Sequence, residues 1–270
     1  MLSIRTIGNE VQTQDNEFYQ IFLLRDPMEM TVDFTNYKTA PYSLLCLSPY
    51  QHLSWLKGPL TTGWQLLFHG DFYCIEYHKK EVACNGLLFN NIYLQPHVNL
   101  GKETYLEIEQ LVRKMEKELK VGLEFSDAVV KAYLQLILAL SSQVKKHQIN
   151  LHEIPQQEDI GEGRIFQQLL EANFMREKSV NFYAQHFNLS IDAFSKKIKK
   201  QLGKAPSIFI QDRIILESKK LLHLTYQSIK EIAVQLNFDD EHYFSRYFKK
   251  NVGISPSEFR SKVGISIAAK

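Results

Sequence analysis

Two stretches carry polar and basic side chains at a spacing that suits the grip of a polyanion. In residues 241–250, Glu241, His242, Ser245, Arg246, Lys249 and Lys250 fall on one side of a 3.6-residue period. Tyr243, Phe244, Tyr247 and Phe248 fall on the other. Residues 191–200 repeat the pattern with Ile191, Asp192, Ser195, Lys196, Lys199 and Lys200 outward. A guanidinium can take O6 and N7 of guanine together, so Arg246 is the strongest candidate for reading a base edge; Lys196 brings the charge without the rigid fork. Side chains near the start of such a helix reach the bases. The expected readers are therefore Asp192, Ser195, Lys196, Glu241, His242, Ser245 and Arg246. Glu241 could accept from cytosine N4 or repel wrong sequences. Lys199, Lys200, Lys249 and Lys250 are expected on phosphates, contacts that position without specifying. The plain alternative for each polar residue is a solvated surface. The interleaved aromatics, Phe194 included, read as core rather than as stacking platforms.

Such helices need something to hold them. Ile229, Ile232, Ala233 and Leu236 make a short amphipathic helix just upstream of the second stretch. Asn237 follows at the place where a left-handed residue would end it, and Asp240 can cap the next helix. Gly253 stops that helix, and Ser255-Pro256 opens another. Two short helices joined by a tight turn make a helix-turn-helix. The unit occurs twice, because YAQHFNLSIDAFSKKIKKQLGKAPS (183–207) lies over IAVQLNFDDEHYFSRYFKKNVGISPS (232–257). Ala184 matches Ala233 and Asn188 matches Asn237. After a one-residue insertion Ser190 matches Asp240, Lys196 matches Arg246, Gly203 matches Gly253 and Pro206 matches Pro256. Phe209, Arg213, Leu216, Leu221 and Leu222 mark a helix between the copies. A rigid spacer of that kind could set two recognition helices about one DNA turn apart, roughly 34 Å.

The run I-K-E-I-A-x-x-L-N-F-x-D-x-x-Y-F-S-R-x-F-K-K-x-x-G-I-S-P-S-E-F-R resembles the signature of the AraC/XylS family of bacterial transcription regulators. Asn237 stands where that family usually has Gly, and both residues accept a left-handed turn. Upstream, SLLCLSPYQHLSWL and GWQLLFHGDF resemble the family's sensory domain, which has a cupin-like β-barrel. The resemblance implies an α+β two-domain chain: an N-terminal cupin-like β-barrel with a helical hairpin, then a C-terminal all-α double helix-turn-helix. It implies a double-stranded DNA operator as partner, with a second copy of the chain, RNA polymerase and a small-molecule effector as further partners. The function expected is a ligand-responsive, sequence-specific transcriptional regulator. A regulator whose N-terminal domain only dimerises or binds a protein stays open, as does a barrel enzyme fused to a DNA-binding module.

Strand-like runs at 18–24, 28–34, 42–48, 52–56, 63–70 and 86–94 suggest a small antiparallel barrel or sandwich. Their large side chains, Phe22, Phe34, Trp55, Trp64, Phe68, Tyr73 and Phe89, are the expected lining of a ligand pocket. The period then changes to helical over 102–121 and 123–146, where Val112, Met115, Val129 and Tyr133 are candidates for a dimer contact. Polar, Gly/Pro-broken residues 148–163 read as a linker between domains at 1–147 and 164–270.

The overall charge of +2 hides an asymmetry. Residues 1–160 hold 14 Lys+Arg against 19 Asp+Glu, and residues 161–270 hold 18 against 11, so the excess of cations belongs to the half with the repeated unit. Three cysteines, Cys46, Cys74 and Cys84, form no disulfide framework. The opening MLSIRTIGNE lacks an apolar signal core, and no run reaches transmembrane length, so a cytoplasmic bacterial protein, nucleoid-associated through DNA and without membrane contact, is expected. His52, His69, His78 and His97 lack the H-x-H pairing of metal-binding cupins, and there is no C-x-x-C. With no nucleophile elbow, Walker loop or dinucleotide fingerprint either, the expectation is no enzyme, no cofactor and no metal.

Overall fold

The computed structural model describes residues 2–7, 17–33, 35–57, 63–73, 87–89, 91–152 and 161–265. The chain separates into two units, Met1–Ile154 and Pro155–Lys270. The first contains β1 (Leu2–Thr6), β2 (Tyr19–Leu24), β3 (Glu29–Val32), β4 (Thr35–Lys38), β5 (Ser43–Leu47), β6 (Leu53–Lys57), β7 (Gly63–Phe68), β8 (His97–Asn99), α1 (Gly101–Val121) and α2 (Ser126–His152).

Every residue of β2 and β5 is buried, which a strand with one solvated face cannot manage. The explanation is a layered arrangement. Tyr19, Ile21 and Leu23 of β2, with Leu44 and Cys46 of β5, share a core with Ile108, Val112, Met115, Leu134 and Ile137 of α1 and α2. The alternate residues Phe22, Leu24, Leu45 and Leu47 share a second core with Met30, Val32 and Leu53 of β3 and β6. The larger sheet, in the order β1-β7-β2-β5-β8, is thus covered by helices on one face and by the small β4-β3-β6 sheet on the other. Each aliphatic side chain so enclosed contributes about 1.5–3 kcal/mol.

This corrects the expected closed cupin-like barrel. Among the described residues no ladder joins the two antiparallel sheets, because the face that would curl round is already taken by α1 and α2. The expected strand at 86–94 is also absent from its described residues, with residues 86 and 90 outside them. There the Asn91 side chain accepts from the backbone N–H of Tyr93 and Leu94, at 2.8 and 3.0 Å, making a turn in place of a ladder. The eighth strand forms instead at His97–Asn99. Helix α2 continues to His152, into the stretch read as linker; residues 153–160 of that stretch lie outside the described residues. Val112 and Met115, read as dimer contacts, are fully buried against the sheet and face no partner. No described helix is long and apolar enough to cross a membrane.

The second unit is helical: α3 (Glu162–Asn173), α4 (Val180–His186), α5 (Ile191–Leu202), α6 (Pro206–Leu224), α7 (Ile229–Gln235), α8 (Glu241–Val252) and α9 (Pro256–Val263). Phe166 of α3 meets the rings of Tyr183, Phe194 and Phe209 at 5.5–6.0 Å. In the other half Phe238 meets Phe244, and Phe248 meets Phe259, at 5.2 and 5.6 Å. Each helix pair therefore has its own aromatic core, and α6 runs between them.

A pH dependence follows from His97. Burial, aided by the nearby Lys145 ammonium, lowers its pKa from the usual 6.5 to about 4. Between those values the unfolded chain takes up a proton that the folded chain refuses, so stability is full above about pH 6.5 and is lost as pH falls towards 4. The first unit should lose ~2 kcal/mol between pH 7 and pH 5 from this residue, and His97→Asn correspondingly less. Urea denaturation followed by tryptophan fluorescence isolates that unit, since both tryptophans, Trp55 and Trp64, lie in it.

Candidate nucleic-acid interface

The two helix-turn-helix units close their turns identically. After α7, the Asn237 N–H donates to Val234 O and the Phe238 N–H to Ala233 O, both at 2.9 Å. After α4, Asn188 and Leu189 donate to Gln185 O and Ala184 O at 3.0 and 3.1 Å. This is the Schellman arrangement, and it requires a left-handed residue at the turn. Asn188 and Asn237 both have φ of 54°. The side chains facing the turn are small, since Ala184 and Ala233 are both fully buried.

The next helix is then capped in each copy. Ser190 accepts from the Ala193 N–H at 3.3 Å, and Asp240 from the Tyr243 N–H at 2.6 Å. That backbone bond is the first cause holding the Asp240 carboxyl below its ordinary pKa, so the acid beside the proposed interface is a cap. Gly203 and Gly253 end the two helices at φ of 80° and 90°, each returning its N–H to the carbonyl of a lysine one turn back. Pro206 and Pro256 open the helices that follow.

With both ends fixed, the buried face of each helix is settled: Phe194 and Ile198 on α5, Phe244 and Phe248 on α8. Asp192, Lys196, Lys199 and Lys200 are exposed on α5, and His242, Arg246, Lys249 and Lys250 on α8; Ser195, Glu241 and Ser245 are half-buried beside them. None of the six cations in these sets makes an ion pair among the described residues. Several other cations of the unit are engaged: Lys197 pairs with Glu162 at 2.6 Å, Lys204 with Asp212, Arg213 with Glu171 and Glu217, and Lys262 with Glu258. Arg260 is also spent, donating to the carbonyls of Leu222 and Gln227 and so holding the entry to α7. Six cations without an ion pair among the described residues thus share the outward faces of α5 and α8, where a polyanion can displace counterions.

Tyr243 departs from expectation. Grouped with the core aromatics by sequence, it is 47% exposed and lies with the polar set, its ring touching Phe238 at 5.8 Å. The internal repeat held the signal. Tyr243 aligns with exposed Ala193, whereas the core residues Phe244 and Phe248 align with Phe194 and Ile198. Tyr247 is half-buried, as its place beside Phe238 dictates.

The expected pocket residues divide between two cores. Phe22 and Trp55 meet edge to face at 5.6 Å between the two sheets. Trp64, Phe68, Tyr73 and Phe89 lie on the helix-covered face, where Phe68 meets Tyr73 and Phe89 at 6.3 Å. Trp64 is tied to α1 by its N–H to Glu109 at 3.4 Å, under the Arg113 guanidinium. One sheet separates these sets, so they do not line one cavity. Phe34 lies outside the described residues, as do His78, Cys74 and Cys84, and Cys46 is a buried thiol. Among the described residues no three His, Cys, Asp or Glu side chains gather as a metal site.

A helix-turn-helix domain family matches residues 183–262, the span that contains both turns and both outward faces. The arabinose operon regulatory protein of Escherichia coli K12 is 39% identical over 93 residues, 34% of this chain and 30% of that protein. The chain belongs to the AraC/XylS family. The transcriptional activator RhaS of Mannheimia succiniciproducens is 31% identical over 184 residues, 67% of this chain and 63% of the relative. This AraC/XylS member therefore spans less than two thirds of the length of these curated relatives. Among solved structures, ToxT of Vibrio cholerae matches 97% of this chain and 98% of its own at 15% identity, with a TM-score of 0.42.

Within such a face, base reading and phosphate anchoring separate experimentally. Arg246→Ala should cost roughly 1–3 kcal/mol on the best operator and relax the preference at one or two base pairs. Lys249→Ala should weaken all sequences alike and reduce the salt dependence by about one counterion. Titrations on single-base operator variants at several salt concentrations measure both; equal losses on every variant would remove Arg246 from the readers.

Proposed function

We propose that this chain is a sequence-specific transcriptional regulator that reads double-stranded DNA with α5 and α8 and is controlled by a small molecule bound in its N-terminal unit. The observation that carries the DNA reading is the repetition of a capped helix whose outward cations make no ion pair among the described residues, while Lys197, Arg213 and Lys262 are paired. Asp192, Ser195, Lys196, Glu241, His242, Ser245 and Arg246 read bases, and Lys199, Lys200, Lys249 and Lys250 hold phosphates. RNA polymerase and a cytoplasmic, nucleoid-bound location fit that role. The relatives' names are those of transcription regulators, which favours a regulator over an enzyme.

Effector control is supported by two unsatisfied polar atoms between the sheets. Trp55, Met30 and Tyr37 form one cross-strand row, with the His97 ring against Tyr37 at 6.1 Å. Trp55 Nε1 and His97 Nδ1 are buried and have no hydrogen-bond partner among the described residues. Leaving such groups unmet costs about 1–3 kcal/mol each, and a ligand carrying acceptor oxygens would relieve it. A compound of that class should raise the urea midpoint of the tryptophan transition and shift operator affinity; Trp55→Phe should reduce both effects. Stabilisation without a change in operator affinity would leave a bystander.

A dimer is supported by part of the expected surface, that of α2, with Val129 exposed while Val112 and Met115 of α1 are buried. Val129 and Leu136 leave apolar surface exposed along α2, with exposed Leu123 and Phe125 in the preceding turn. Val129→Glu with Leu136→Glu should convert a dimer to monomer in sedimentation while leaving the tryptophan transition in place. A wild-type monomer at high concentration would exclude this contact.

A further inference from the structure

The two helix-turn-helix units are repeats, yet one contact breaks the repetition. The Asn237 side-chain amide donates to the Arg176 carbonyl at 3.1 Å, and the Lys178 ammonium donates to the Asn237 carbonyl. Lys178 also lies 4.5 Å from the centre of the Phe238 ring. The turn entering α8 is thereby held, through one residue's donor and acceptor together, by the segment entering α4.

That segment is itself anchored. The Glu177 N–H donates to Asn173 O at 2.8 Å, and Tyr183 Oη donates to Glu177 O at 2.8 Å. Phe174 lies under the Arg213 guanidinium at 3.7 Å, and Arg213 grips Glu171 and Glu217. A grip on residues 176–178 is therefore a grip on the first unit as a whole. Burial lowers the Lys178 pKa, opposed by the charges of Asp239 and Glu177, as expected of an ammonium drawn into a protein contact.

The turn does not require this clamp. Asn188 adopts the same φ and the same Schellman hydrogen bonds, is exposed, and has no side-chain partner among the described residues. The repeat's counterpart of Lys178 is Gln227, whose carbonyl is held by Arg260 from within its own unit. What Asn237 adds over Asn188 is a tie between the units.

We propose that Asn237 and Lys178 are positioning residues that lock the two helix-turn-helix units at one separation and rotation, so that the pair selects the spacing of its two half-sites. This rests on the DNA reading above. A glycine at 237 keeps the left-handed turn and deletes only the amide, which makes the test clean. One inserted base pair moves a half-site by ~3.4 Å and about 35°. A locked pair cannot follow that shift without losing contacts.

The experiment uses the full chain with Asn237→Gly, Lys178→Met and Lys178→Arg. Spin labels on unnatural amino acids at exposed Gln185 and Val234 report the distance between units without DNA, and titrations on operators with base pairs added or removed between half-sites report spacing. Wild type and Lys178→Arg should give one narrow distance and lose about tenfold affinity per inserted base pair. Asn237→Gly and Lys178→Met should broaden the distance and reduce that loss to under about threefold. An unchanged distance in both variants overturns the clamp whatever happens on DNA. A broadened distance with an unchanged spacing profile overturns the selection of spacing. A broadened distance in a chain that binds no sequence preferentially overturns the DNA reading and leaves the clamp standing.

Discussion

The tight turn inside each helix-turn-helix unit is closed by a residue whose backbone turns left. Asn188 and Asn237 supply it, both at φ of 54°. Much of the C-terminal unit depends on that conformation. It brings the N–H of Leu189 or Phe238 back to a buried alanine carbonyl and places Ser190 or Asp240 where it can cap the next helix. Once the helix start and its terminal glycine are fixed, the outward face is fixed as well. The cations on that face need no special arrangement of their own; they are what remains after Phe194, Ile198, Phe244 and Phe248 have been buried.

The C-terminal unit was largely legible from sequence because its determinants are local. A capping residue, a left-handed asparagine and a helical period each act within a few residues, and the repeat states them twice. Tyr243 was misplaced because an aromatic at the edge of a helical stripe reads as core by type, and only its alignment with Ala193 speaks against that. The N-terminal unit was legible as strands but not as architecture. Whether β5 continues round to β6 or stops at β8 depends on which layer covers which face, and no local pattern states that. The burial of Val112 and Met115 has the same origin. An apolar stripe on a helix demands a partner, but the stripe does not say whether that partner is a sheet or a second chain.

Polar satisfaction divides the molecule in a complementary way. In the C-terminal unit Glu217 meets Arg213, Ser218 meets the Ile214 carbonyl and His223 meets Gly264, and among the described residues Glu162 Oε2 is the buried side-chain atom left without a partner. In the N-terminal unit Trp55 and His97 keep buried nitrogens without a partner among the described residues, while the neighbouring Lys145 ammonium donates to the Gln95 carbonyl at 2.7 Å. A fold that leaves such groups unmet forgoes stability that a partner for them would restore.

The unlike faces of α5 and α8 have a consequence for the architecture of a promoter. Tandem units within one chain follow each other head to tail, and Ile191, Asp192, Ala193 and Lys196 in one stand where Glu241, His242, Tyr243 and Arg246 stand in the other. A DNA segment recognised by such a pair has a left and a right end. Inverting it does not regenerate the same site, so each bound chain carries an arrow along the duplex that a gene on one side can use and a gene on the other cannot.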